Sequence, residues 1–216
     1  MVQQDYPLHP WTQALQRHLD QFKPEPLSSE QVSEATEAAV LAALTDTPAP
    51  QLLFCKRTKN MRTHAGQVAF PGGTRESDDA DLIATARREA YEEVGLRGCL
   101  IVGELSQRIS RHGKRVTPLV GLYDPDHKLQ PDGVEIDEVF SVPLDWLQHE
   151  CKKFATNFSR AETEPFYLPA WCYEGRWIWG LTAMMTAELL NVGFGSDIDF
   201  SDAPRQRIVS LEELNA

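Results

Sequence analysis

The chain has 216 residues, 42% of them hydrophobic and 25% charged, enough to bury one sizeable core in one domain. A formal net charge of −11 excludes a general nucleic-acid-binding surface and obliges any anionic substrate to find local positive charge. The longest strongly apolar run, 38–44, is too short to span a bilayer, and the start of the chain lacks the basic-then-apolar pattern of a secretory signal. Cys55, Cys99, Cys151 and Cys172 are scattered without a C-x-x-C pair, which reads as reduced structural thiols in a cytoplasmic protein.

In chain order, residues 10–22 predict an apolar-faced helix. A second helix is expected over about 29–44, with Ser28 and Gln31 at capping-box spacing. Thr47-Pro48-Ala49-Pro50 breaks it. Residues 1–48 therefore read as a helical arm packed on a domain at 49–192, followed by a peripheral Gly/Ser/Asp-rich tail at 193–216. Within the domain come strands at 51–57 and 66–70, a helix at 80–94, and strand-like runs near 99–109 and 114–123. A short helix begins at 144–149, two short strands follow at 166–168 and 171–173 before a Glu174-Gly175 turn, and a last helix covers 182–190. Mixed strands with two or three helices imply a layered α/β architecture.

The chemistry is concentrated in Arg88-Glu89-Ala90-Tyr91-Glu92-Glu93-Val94-Gly95-Leu96. Glu89, Glu92 and Glu93 fall within roughly a 100° arc of one helix. Like charges this close weaken a helix unless something cationic sits among them. Arg88 stands four residues before Glu92 and can pair with it. Ile83, Ala86, Ala90 and Val94 form a narrow apolar stripe, so Glu89 and Glu93 border the packed face, where a partnerless charge is costly. Mg²⁺ or Mn²⁺ is the natural compensation, because both prefer carboxylate oxygens and accept water and phosphate as further ligands. Ser77, Asp78 and Asp79 offer acceptors for the first turn, and Gly95 suits the left-handed residue that ends a helix. Upstream, Phe70-Pro71-Gly72-Gly73 reads as a tight turn whose glycines permit close backbone approach to a ligand or ion. Local positive charge is available in Lys56, Arg57, Lys59, Arg62 and His64, and again in Arg108, Arg111, His112, Lys114 and Arg115.

The 72–96 segment resembles the Nudix box, G-x5-E-x7-R-E-U-x-E-E-x-G-U with U a bulky apolar residue. The second half matches from Arg88 to Leu96, with the small Ala90 at a U position. In the first half, Asp79 stands for the glutamate, and eight residues rather than seven separate it from Arg88. In the family that first acid mostly supports loop and helix. Met61-Arg62-Thr63-His64-Ala65-Gly66-Gln67 leading into Phe70-Pro71-Gly72-Gly73 resembles the coenzyme A pyrophosphatase branch, as do Thr117-Pro118-Leu119-Val120-Gly121, the segment 135–140, Val142-Pro143-Leu144 and the run 178–183.

The resemblance implies a Nudix-type α/β/α sandwich with a mixed β-sheet, its box loop and helix carrying the metal site. It implies metal-dependent hydrolysis of the diphosphate of coenzyme A to 3′,5′-ADP and 4′-phosphopantetheine, with acyl-CoA left open as a further substrate. Glu89, Glu92, Glu93 and a backbone carbonyl of Gly73 are then the metal set. The general base is a box glutamate, Glu92, or an acid on a later loop, Glu135. Arg57, Arg62, His64 and Gln67 are the expected substrate contacts. The partner is a small nucleotide diphosphate, with neither nucleic acid nor membrane, and a homodimer stays open. Two alternatives stand beside this: a Nudix pyrophosphatase acting on ADP-ribose, dinucleotides or capped RNA, and a non-catalytic nucleotide-sensing module. The intact glutamates and the lack of an appended helix-turn-helix disfavour the sensor.

Overall fold

Residues 36–45, where a helix is expected, form the strand at the centre of the protein. The computed structural model describes residues 9–24, 26–29, 32, 35–61, 64–150, 154–158, 166–198 and 207–214. In it β1 (Thr36–Thr45) runs parallel to β7 (Lys114–Tyr123) along its whole length. Its other edge is shared by two antiparallel neighbours, β4 (Gly72–Thr74) against Ala38, Ala39 and Val40, and β2 (Gln51–Arg57) at Leu44. Alanine and leucine favour helices, but here burial on both faces decides. A strand covered on both sides reads as a continuous apolar run, which periodicity alone cannot separate from a buried helix.

The sheet is mixed, as expected. β2 also pairs with β3 (Val68–Ala69) and β8 (Ile136–Pro143), and β7 with β5 (Leu100–Glu104) and β6 (Arg108–Ile109). Alternate residues of β1 serve two cores. Ala39, Leu41 and Ala43 face α2 (Leu82–Val94) through its stripe Ala86, Ala90 and Val94. Ala38, Ala42 and Leu44 belong to the opposite core, with Leu15 and Leu19 of α1 (Pro10–Gln21) and Leu189 and Leu190 of α3 (Gly180–Phe194). Helices thus cover both faces, giving the α/β sandwich. Helix α3 starts earlier and ends later than its expected 182–190 span. It is buried on most sides, so its ends lack the polar contrast that marks a surface helix.

A second sheet, ordered β11-β10-β9-β12, is built from β9 (Phe154–Phe158), β10 (Phe166–Tyr173), β11 (Arg176–Trp179) and β12 (Arg207–Val209). The two short strands expected at 166–168 and 171–173 are the single strand β10, with Pro169 accommodated opposite Ala155. The Glu174-Gly175 turn joins it to β11. The expected short helix after Pro143 is present and contains a π-helical turn, Trp146–Glu150. The 193–216 segment, expected to be peripheral, is partly structural: Gly193 is buried in α3, β12 pairs with β9, and Leu214 of α4 (Leu211–Leu214) is buried.

Because Leu41 is fully buried between sheet and α2, Leu41→Ala should lower stability by about 2–5 kcal/mol. Val134→Ala, at an exposed position, should change it by no more than about 0.5 kcal/mol. Urea unfolding of the two variants checks the contrast.

Candidate active site

The glycine pair is not a turn but a short strand laid flush on β1 after a bend at Pro71. Gly72 has φ 154°, and a Cβ there would stand 2.6 Å from Val40 Cα and strike the Ala39 carbonyl. A Cβ on Gly73 would stand 2.8 Å from Oε2 of Glu89 and enter its carboxylate. The first glycine lets β4 reach the sheet. The second lets an acid of α2 reach β4.

Asp81 caps α2, accepting the Ala84 N–H at 2.7 Å, and Gly95 ends it at φ 71°. Asp79, grouped in the sequence with residues that cap the first turn, has a different task. It accepts the Glu76 N–H at 2.9 Å, the Thr85 hydroxyl at 3.0 Å, and both Nε and Nη2 of Arg88 at 3.1 and 3.0 Å. The Arg88 guanidinium holds its carboxyl well below the usual carboxylate range. Arg88 also donates to Thr74 O, to Glu89 Oε1 and to Glu92 Oε2, so every arm of the guanidinium is engaged. Asp79 thus ties the loop to the helix despite the extra residue and the Asp-for-Glu exchange.

Glu89 and Glu93 stand one turn apart on the inner face of α2, and burial raises the pKa of both. Glu93 is only 5% exposed, and burial pushes it up to about 7. Its Oε2 accepts the Gly72 N–H at 2.9 Å and its Oε1 lies 3.4 Å from Arg57 Nη1; both contacts favour the carboxylate but do not outweigh desolvation. Arg57 Nη2 donates to Glu135 Oε2 at 3.0 Å, so one guanidinium spans an acid of the helix and an acid of the 132–135 loop. That loop is fixed. Asp132 accepts the N–H groups of Val134, Glu135 and Ile136, and its own N–H donates to Glu93 O. Thr58 N–H donates to Glu135 O at 2.8 Å.

Glu89, Glu93, Gly73, Arg57 and Glu135 are thus brought together. Glu92 lies at their edge, its side chain 55% exposed, and Arg88 Nη1 donates to both Glu89 Oε1 and Glu92 Oε2 at 3.0 Å. His64 and Gln67 pair with each other, Nδ1 to Oε1 at 2.8 Å, on the loop preceding β3. Arg62 lies outside the described residues. Arg57, expected on substrate, here joins two acids. Sequence reasoning missed Asp132 as the organiser of the Glu135 loop, although Pro131-Asp132-Gly133 is a turn signature. Of the downstream basic residues, Arg108 is spent on Glu188 and Arg115 on Glu37.

The sequence profile of the NUDIX domain matches residues 35–161, more than half of the chain and the whole of this site. The protein belongs to the NUDIX family. Among its relatives are two proteins named uncharacterized Nudix hydrolase NudL. That of Pectobacterium atrosepticum is 36% identical over 166 residues, 76% of this chain and 86% of the relative. That of an Enterobacter species is 38% identical over 171 residues, 78% and 88%. Solved structures superpose only in part. A MutT/nudix family protein from Enterococcus faecalis gives a TM-score of 0.45 at 13% identity, covering 83% of this chain and 66% of that one. The NUDIX domain of Shewanella oneidensis NrtR, complexed with ADP ribose, gives 0.42 at 16%, covering 61% and 85%. The chain is therefore a Nudix hydrolase, and no described helix is long and apolar enough to cross a membrane.

Nudix hydrolases generally use divalent ions such as Mg²⁺ or Mn²⁺. The residues of this Nudix site fit one in chemistry: hard carboxylate oxygens, two of them on neighbouring turns, desolvated and mutually repelling. Among the described residues, no three acidic, histidine or cysteine side chains are already drawn into a closed ligand shell. The acids turn instead to Arg57 and Arg88.

The raised pKa of Glu93 has a definite sign in stability. Between its ordinary value of 4.5 and about 7 the unfolded chain releases a proton that the folded chain retains, so stability of the metal-free protein falls as pH rises through this window. The full loss is on the order of 3 kcal/mol. Thermal unfolding in chelator should show a melting temperature declining from pH 5 to pH 7.5, and Glu93→Gln should flatten that decline. An equally steep decline in the variant would assign it to other groups.

Proposed function

We propose that the protein is a metal-dependent coenzyme A diphosphatase, releasing 3′,5′-ADP and 4′-phosphopantetheine. The observation that carries this reading is the meeting of two distant segments. The 61–73 run and the 178–183 run, which both resemble the coenzyme A branch, touch where the Thr182 hydroxyl donates to Val68 O at 3.3 Å. The first of these runs leads directly into Gly72 and Gly73 beside the acids. The relatives named NudL support the superfamily and leave the substrate to this reading.

When bound, Mg²⁺ or Mn²⁺ supplies neutralisation of diphosphate charge and a more acidic water. Glu89 and Glu93 would hold it, with the Gly73 backbone and Glu92 at the edge of the set. Gly72 N–H and Arg57 orient the Glu93 carboxylate. Water attacks one phosphorus, the bond to the bridging oxygen breaks, and a carboxylate takes the proton of the attacking water. Glu135 is our choice of base. It is half exposed, stands on a rigid loop, and is tied through Arg57 to Glu93. Glu92 is the second candidate. His64 and Gln67 on the preceding loop, and by the same resemblance Arg62, are the proposed substrate contacts.

Glu89→Gln and Glu93→Gln should each lower kcat on the order of 10³-fold while leaving the fold intact. Wild-type turnover by either variant at saturating metal would remove that glutamate from the metal set. The substrate itself is tested by mass spectrometry of products from a panel of diphosphates with Mg²⁺ and with Mn²⁺. Coenzyme A should show a kcat/KM well above those of ADP-ribose, NADH and diadenosine polyphosphates. A tenfold advantage for ADP-ribose would retain the hydrolase and overturn the coenzyme A reading.

A further inference from the structure

The hairpin between β6 and β7 carries positive charge that the acids of the site do not use. Its turn is closed by Ser110, whose N–H donates to Lys114 O at 2.8 Å, whose carbonyl accepts the Gly113 N–H at 3.0 Å, and whose hydroxyl accepts the Lys114 N–H at 3.0 Å. Gly113 takes φ 75° at the tip. The arginines at the base of the hairpin are committed to Glu188 and Glu37. Among the described residues, Arg111 and Lys114 at the tip, and Lys59 on the loop opposite, form no ion pair.

Two contacts carry this hairpin across the site. The Lys114 ammonium donates to Thr74 Oγ1 at 2.7 Å, one residue on from Gly73. The His112 ring meets His64 edge to face, with centroids 5.1 Å apart and planes at 88°. His64 sits at φ 57°, a conformation uncommon for a residue with a side chain, and its Nδ1 is occupied by Gln67 Oε1. Among the described residues, its Nε2 has no hydrogen-bond partner. The hairpin thus meets His64 on one side and β4 on the other. Two imidazoles and an ammonium, with Arg111 on the same hairpin tip, collect in an acidic protein, and among the described residues none of them pairs with a carboxylate. Their chemistry, an ammonium point charge with imidazole donors, matches a phosphate. The diphosphate belongs with the acids of α2 and their metal, so the hairpin is available to another anionic group of the same substrate.

We propose that His112 and Lys114, together with His64, form a subsite for a phosphomonoester carried by the substrate in addition to its scissile diphosphate. The proposal rests on the reading of the site as a nucleotide diphosphate hydrolase, and it makes the enzyme select nucleotides with an extra phosphate.

Isothermal titration of the full chain with adenosine 3′,5′-bisphosphate and with AMP, in chelator, tests the subsite without turnover. The wild type should bind the bisphosphate about tenfold more tightly than AMP, roughly 1.4 kcal/mol. In His112→Ala and in Lys114→Ala the preference should shrink to about twofold, and Lys114→Arg should keep it. Equal affinities in the wild type, or an undiminished preference in both alanine variants, would overturn the proposal. The outcome separates from that of the substrate reading. A preference erased by the variants in an enzyme that does not cleave coenzyme A keeps the subsite and removes the substrate. Cleavage of coenzyme A without a bisphosphate preference does the reverse.

Discussion

The Arg88 guanidinium is the constraint on which the site depends. Its planar fork matches the Asp79 carboxylate bidentately, while its remaining N–H groups reach Thr74 O, Glu89 and Glu92. One side chain therefore ties the loop at 74–79 to the second turn of α2 and the acids beyond it. Without it, β4 and its loop would be held to α2 by the Gly72 N–H on Glu93, the Thr85 hydroxyl on Asp79 and the packing of small residues. With it, the glycine strand and the acid-bearing helix move as one body. Lysine cannot replace it, because a single ammonium cannot present a fork to Asp79 and still serve the other acceptors.

Given that frame, the inner acids can be held where folding alone would not put them. Glu93 is buried, and its carboxylate survives there only through the Gly72 N–H and a long contact to Arg57. Glu89 lies against Gly73 in a space that any Cβ would fill. The pair is strained electrostatically in the metal-free protein, since each is desolvated and each repels the other. That strain is a form of preorganisation: a divalent cation held by this pair would relieve repulsion rather than have to gather scattered ligands. Glu135 joins the same arrangement from a loop that Asp132 folds back onto the C-terminal turn of α2.

The sheet supplies the precision. Because β1 serves opposite cores with alternate residues, a shift by one position would exchange every contact on both faces. Its register against β7 and β4 therefore fixes where Gly72 and Gly73 meet α2, and it also places Lys114 within reach of Thr74.

Much of this was legible in the residues. The stripe Ile83, Ala86, Ala90 and Val94 described the packed face of α2. Gly95 marked its end, and the spacing of Arg88 and Glu92 anticipated their ion pair. Strands 51–57 and 114–123 were readable because local pattern and final environment agree. The misreadings have a common cause. The 36–45 run is rich in helix-forming Ala and Leu, and only burial against two helical layers makes it a strand. The strands expected at 166–168 and 171–173 run on as one through Pro169 once β10 pairs with β9. The tail at 193–216 looked peripheral because the partner of β12 is β9, some fifty residues earlier in the chain.

By itself, the sequence determined the composition of the acidic cluster, the family it belongs to, and the local helix that presents it, because these rest on spacing within a few turns. Tertiary structure alone decided that Arg57 bridges Glu93 and Glu135, that Asp79 serves Arg88, and that a distant hairpin lays His112 beside His64. Those relations join residues far apart in the chain. They exist only once the sheet register has been set by burial, and nothing in local spacing encodes which cation will face which acid.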